Sequence, residues 1–195
     1  MSNAKNKTAR SVNLDESRLS GLKKHSEDVN ALVKSSLQTA LLLLLKQKPY
    51  EKISIVELCK KAGVSRTAFY GNYATKDEIL RAIVIQLNVE FIKCIGSPFR
   101  EKTDLQWYLN FFAEVEQRAD VVKLIFDAGF QSEYLSLVND IVLHNPNITT
   151  AKKYQRLMWS GAMENIINYW LSTGMKETAE QLAVFCNDNL VAWSI

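Results

Sequence analysis

Three prolines and seven glycines in 195 residues leave few points at which a helix is forced to end. Apolar residues recur at spacings of three and four rather than two, so strands are excluded as the main element and an all-α chain is expected. Cysteine is scarce as well. Cys59, Cys94 and Cys186 are odd in number, far apart and in no C-x-x-C pair, which argues against a disulfide framework or a zinc site and fits a reducing cytoplasm. The only two histidines, His25 and His144, belong to no recognisable metal-binding motif, so no metal site is expected. No G-x-S-x-G, phosphate-cradling glycine loop or paired-carboxylate motif occurs, and neither an enzyme nor a cofactor is expected.

Long apolar runs and excess charge are also missing. The run "ALLLLL" from Ala40 to Leu45 is far shorter than the roughly 20 apolar residues of a membrane span, and the N-terminus lacks a signal-peptide hydrophobic region. No membrane partner is expected. A net charge of +3 is too small to argue for a polyanionic partner by itself, so the location of the charge matters more. Before Glu27, Lys5, Lys7, Arg10, Arg18, Lys23 and Lys24 face only Asp15 and Glu16, with almost no apolar periodicity. Residues 1–25 are expected to form a flexible basic arm, as well suited to solubilising the chain as to touching DNA.

What is present is helical punctuation. The 47% hydrophobic content suffices for one large core or two helical domains that share an interface. The first helix is expected from an N-cap at Ser26 to just before Pro49, burying Val29, Leu32, Val33, Leu37 and Leu41. Ser54 with Glu57 reads as a capping box for a helix that ends at Gly63 and buries Ile55, Leu58, Cys59 and Ala62. Thr75 with Glu78 is a second box, starting a helix from Lys76 to about Ile95. Further helical patterns span 104–117, 119–130, 131–144, 150–172 and 177–193, the last opened by a Thr178 and Gln181 box and carrying Leu182, Phe185, Leu190 and Trp193.

Between Gly63 and Thr75 there is room for one short helix capped by Ser65. By its 100-degree spacing, Phe69 and Tyr73 face the core, while Arg66, Thr67, Tyr70 and Gly71 gather on a face with no apolar task. Arg66 suits a guanine edge or a phosphate, Thr67 a thymine methyl or a phosphate, and a tyrosine hydroxyl a phosphate. A helix, a short turn with glycine and a second helix offering polar groups describe a DNA-binding helix-turn-helix.

The stretch "ISIVELCKKAGVSRTAFYGNYATKDEIL", Ile53 to Leu80, resembles the N-terminal domain of TetR-family transcriptional regulators. Ala62, Gly63, Val64 and Ser65 match the family's turn, Phe69, Tyr70 and Tyr73 its aromatic triplet, and Lys76 the lysine that opens its fourth helix. The resemblance covers roughly residues 27 to 80. It implies a three-helix DNA-binding domain at 26–75, joined to a helical effector-binding and dimerisation domain at 76–195. It further implies a bacterial, cytoplasmic homodimer on a pseudo-palindromic double-stranded operator, with recognition helices about 34 Å apart. Ser54, Thr67, Tyr70, Tyr73, Thr75 and Lys76 would then mainly lie along phosphates, with Arg66 and Asn72 at base edges and Ser65 and Gly71 also at the DNA. Gly71 departs from the family, which usually has a larger residue there; glycine inside a helix costs about 1 kcal/mol against alanine, so a short recognition helix is expected.

In the C-terminal part, Trp107, Phe111, Phe112, Phe126, Phe130 and Tyr134 are each plain core candidates, but together they could line a pocket for an apolar or aromatic effector. Trp159, Met163, Ile166, Ile167 and Trp170 form one stripe beside Gly161 and Ala162. With Leu182 and Phe185, that stripe reads either as core or, better, as half of a four-helix dimer interface. The expected function is a repressor released from its operator by a small molecule. The alternative is a TetR-like co-regulator that acts through a partner protein with no small effector.

Overall fold

The computed structural model describes residues 3–99, 104–144 and 148–190. The described residues form helices and no strands: α1 (Asn3–Leu45), α2 (Ile55–Ala62), α3 (Arg66–Tyr70), α4 (Lys76–Ile95), α5 (Leu105–Gln117), α6 (Ala119–Asp127), α7 (Gln131–Leu143), α8 (Thr150–Ser172) and α9 (Ala179–Leu190). A 3₁₀ turn at Tyr50–Lys52, not expected from the pattern, follows Pro49.

The expected start at Ser26 is overturned, because α1 already runs from Asn3. Between Asn3 and Ser26 there is no proline and Gly21 is the sole glycine, and a helix nucleated by packing elsewhere extends at one hydrogen bond per residue. Its burial is shorter than expected. Leu37, Ala40, Leu41 and Leu44 are buried and Val33 half-buried, but Val29 and Leu32 are 45% and 67% exposed, because no other described element covers α1 so far from the core. Ser20–Leu45 is long and apolar enough to cross a membrane by composition; its C-terminal third is instead core. The side chains of Lys5, Lys7, Arg10 and Arg18, and Trp193 as a whole, lie outside what the structure describes.

Local chemistry sets the remaining boundaries. Ser54, Ser65 and Thr75 each accept the backbone N–H three residues on, capping α2, α3 and α4. Two boxes close differently from the simple motif: Glu57 pairs with Lys48 at 2.6 Å, and Glu78 accepts the N–H of Ala74 at 2.8 Å. At Thr178 and Gln181 the bonds are reciprocal, at 2.8 and 3.1 Å. Gly63 ends α2 in the left-handed region, φ 69°, where a Cβ is disfavoured, and Val64 N–H returns to the Cys59 carbonyl at 3.0 Å.

Helix α4 is the axis of the molecule. Ile79, Leu80, Ile83, Val84, Leu87 and Phe91 are buried along it, and it packs against α1 near its start and α5 and α7 farther on. Behind it, α5 lies along α9 and α7 along α8, while α6 bridges α8 and α1. Two contacts reinforce that bridge: the Phe130 ring meets the Tyr50 ring edge-on at 5.2 Å, and Lys46 reaches Asp120 at 3.3 Å.

Candidate nucleic-acid interface and inner cavity

Phe69 holds α3 in place, fully buried, and Val64 is half-buried beside the core. The other side of α3 is open: Arg66, Thr67, Tyr70 and Gly71 are all exposed. The Arg66 guanidinium stands 6.0 Å from the Tyr70 ring centre, so a cation and a phenol share one surface. Ser54, Ser65 and Thr75 are also exposed. Because each hydroxyl oxygen accepts a cap bond, its hydrogen remains available to an anion such as phosphate.

Three residues expected at DNA are engaged elsewhere. Tyr73 is buried, its hydroxyl accepts from Gln38 Nε2 at 3.3 Å, and burial pushes its pKa up. An aromatic ring four residues after Phe69 gains more from the core than from solvent. Asn72 spends its amide on the Ala68 carbonyl at 2.8 Å, closing the end of α3. Lys76, expected toward phosphate, points inward: Nζ donates to the Tyr50 carbonyl at 2.7 Å and the Ile53 carbonyl at 3.0 Å, and lies 4.0 Å from the Tyr50 ring centre. The Tyr50 carbonyl, which also accepts the Ile53 N–H at 3.0 Å, the Ile53 carbonyl and an aromatic face together make a better cation site than open solvent. Tyr50 also donates to Asp77.

Gly71 is the C-cap of α3, at φ −73° and ψ −14°, a conformation open to any residue. Its N–H bonds the Thr67 carbonyl at 2.9 Å, and the chain closes over the Phe69 carbonyl through Asn72 and Tyr73. Helix α3 is therefore short, five residues, as the glycine suggested.

The second feature is a cavity of about 660 Å³ between α4, α5, α7 and α8. Of the aromatic residues expected to line it, Trp107, Phe111 and Tyr134 do. Phe112, Phe126 and Phe130 do not: they are buried against Trp170, Tyr134 and Tyr50 respectively. Periodicity marks an apolar face without saying whether it meets a void or another side chain. Phe91, Ile92 and Ile95 from α4, and Arg156 and Glu164 from α8, also line the cavity and escaped the sequence reading. A glutamate interrupting the apolar run "GAMENII" was the available signal.

The expected dimer stripe is corrected in the same way. Trp159, Met163, Ile167 and Trp170 are buried within the chain, and the first three face the cavity. Ile166 and Leu182 are half-buried, and only Phe185 is open, at 55%. The opposite face of α8 instead exposes Tyr154, Met158 and Tyr169, and α9 adds Val184. Gly161 lies on that outer face with open space around it. Spacing alone assigns the more apolar stripe to the more conspicuous role, and here the molecule's own core claimed it.

Among the described residues, no group of three His, Cys, Asp or Glu side chains could hold a metal ion. Residues 39–83 match the family model for bacterial regulatory proteins of the tetR family, which spans the end of α1, α2, α3 and the first turns of α4. No curated protein matches the chain significantly. Among solved structures, the fold is similar to that of "Dihydroxyacetone kinase operon activator DhaS", at 16% identity and a TM-score of 0.55, over 83% of this chain and 96% of that one.

Proposed function

We propose that this chain, which carries the DNA-binding domain of the tetR family, is a bacterial cytoplasmic repressor that binds its operator as a homodimer and leaves it when a small molecule enters the cavity. The observation that carries the reading is the exposed Arg66, Thr67 and Tyr70 surface on a helix whose other side is locked by Phe69. Arg66 reads a base edge, while Thr67, Tyr70 and the capping hydroxyls of Ser54, Ser65 and Thr75 hold phosphates. The dimer forms through the outer faces of α8 and α9, around Tyr154, Met158, Tyr169 and Phe185.

Control of DNA binding is a population shift. The last turns of α4 wall the cavity through Phe91, Ile92 and Ile95, and its first turn is tied to the DNA-binding domain through Lys76, Asp77 and Tyr50. A ligand that fits one tilt of α4 better than another changes the spacing of the two recognition helices, and its effect equals its preference between those states. The open cavity favours a small effector over a co-regulator whose interior is filled.

The test is operator selection from genomic DNA with the purified protein, followed by titration at several salt concentrations. A pseudo-palindromic site with a steep salt slope is expected, and Arg66→Ala should weaken it by roughly 1–3 kcal/mol. Affinity that is the same for all sequences and insensitive to Arg66 would refute the reading.

A further inference from the structure

The cavity wall is aromatic, but its polar groups are unequal in what they can still bind. The Trp107 and Trp159 indole N–H groups are committed, to the Gly96 carbonyl at 3.3 Å and the Tyr108 hydroxyl at 3.1 Å. Ser160 is bonded to Asn139 at 2.6 Å and the Asn88 amide to the Val84 carbonyl at 2.9 Å. Arg156 is engaged as well, its guanidinium 4.8 Å from the centre of the Phe99 ring. The donors of Trp107, Trp159, Ser160 and Asn88 are therefore occupied, while Ser97, Tyr134 and His144 complete the polar part of the wall.

Glu164 stands apart. Its carboxylate lines the cavity and has no hydrogen-bond or ion-pair partner among the described residues. Burial raises its pKa, and its charge, after desolvation, helps push the Tyr134 hydroxyl up to about 12 across the α7–α8 seam. A carboxylate that has lost part of its hydration is less stable than one in open water, and a cation that arrives with the ligand offsets that loss. The surrounding ring faces add attraction for positive charge: Trp107 and Phe111 are stacked at 5.1 Å, and Trp159 meets Trp107 at 5.7 Å.

We infer that the cavity takes an organic cation, an aromatic or apolar body bearing one protonated amine, with the ammonium against Glu164 and the body among Trp107, Phe111 and Trp159. The inference deepens the proposed effector control and rests on that reading for its consequence at DNA.

Three probes of one shape decide it by calorimetry with the full-length protein: 1-naphthylmethylammonium, 1-naphthylmethanol and 1-naphthoate. The ammonium should bind about tenfold or more tighter than the naphthoate. In Glu164→Gln, checked for fold by circular dichroism, the ammonium and the alcohol should bind alike. Naphthoate binding as tightly as the ammonium, none of the three binding, or an ammonium preference that survives Glu164→Gln overturns the inference. If the variant fails to fold, the preference of the unmodified protein decides. Operator release separates the two readings. Naphthoate that binds better and releases DNA sinks the cation site and keeps effector control, whereas a selective ammonium site with unchanged operator affinity does the reverse.

Discussion

At the scale of single residues, Lys76 and Thr67 illustrate two kinds of polar side chain near one surface. Lys76 donates to the carbonyls of Tyr50 and Ile53 and covers the Tyr50 ring, so it secures the 3₁₀ turn to α4. Replacing it by methionine takes the Lys76 donor from the Ile53 carbonyl, leaves the Tyr50 carbonyl with only the Ile53 N–H and removes two charge-assisted bonds, for an expected loss of about 1.5–3 kcal/mol in urea denaturation. Thr67 is exposed and has no such task. Thr67→Ala should leave stability within about 0.5 kcal/mol and weaken operator binding in a gel-shift titration. The motif around Lys76 was legible in the sequence, but the direction of its side chain was not, because the acceptors lie more than twenty positions earlier in the chain.

At the scale of elements, α3 is a helix of five residues, too short to persist without help. Two things hold it: the buried Phe69 ring, and the Ser65 cap on Ala68 N–H at 3.0 Å. Ser65→Asp keeps the cap and should cost less than about 0.5 kcal/mol in denaturation, yet on the proposed reading its charge would face phosphate, so operator binding should collapse. Ser65→Ala should instead lose roughly 0.5–2 kcal/mol of stability. The helix boundaries around this element were readable, since Ser, Gly and Thr act within four residues of where they stand. The start of α1 was not readable. Ser26 has the chemistry of a cap but sits in a stretch where nothing interrupts the helix already formed, and capping chemistry acts only where a helix ends.

At the scale of the whole molecule, α8 presents two apolar faces about half a turn apart, and they do different things. Trp159, Met163, Ile167 and Trp170 turn inward, and Tyr154, Met158 and Tyr169 turn out, beside Phe185 and Val184 of α9. If the outer face joins two copies, Tyr169→Glu combined with Phe185→Glu should convert the dimer to a monomer by sedimentation velocity. Affinity for the full operator should then fall toward that for a half-site, since one recognition helix replaces two. The same double variant should melt close to the unmodified chain at equal occupancy of the monomer, because neither side chain belongs to the core.

The sequence by itself determined the all-helical class, the helix-turn-helix with its capped α2, α3 and α4, and the identity of the exposed Arg66, Thr67 and Tyr70 set. These follow from interactions that reach no farther than a turn of helix. Only the tertiary structure decided that Lys76 and Tyr73 serve the fold, that the stripe through Trp159 lines a cavity, and that Glu164 shares that cavity with aromatic rings and has no ion-pair partner among the described residues. Each of those depends on which distant element supplies the neighbour, and a helical period records that a face is apolar without recording what will cover it.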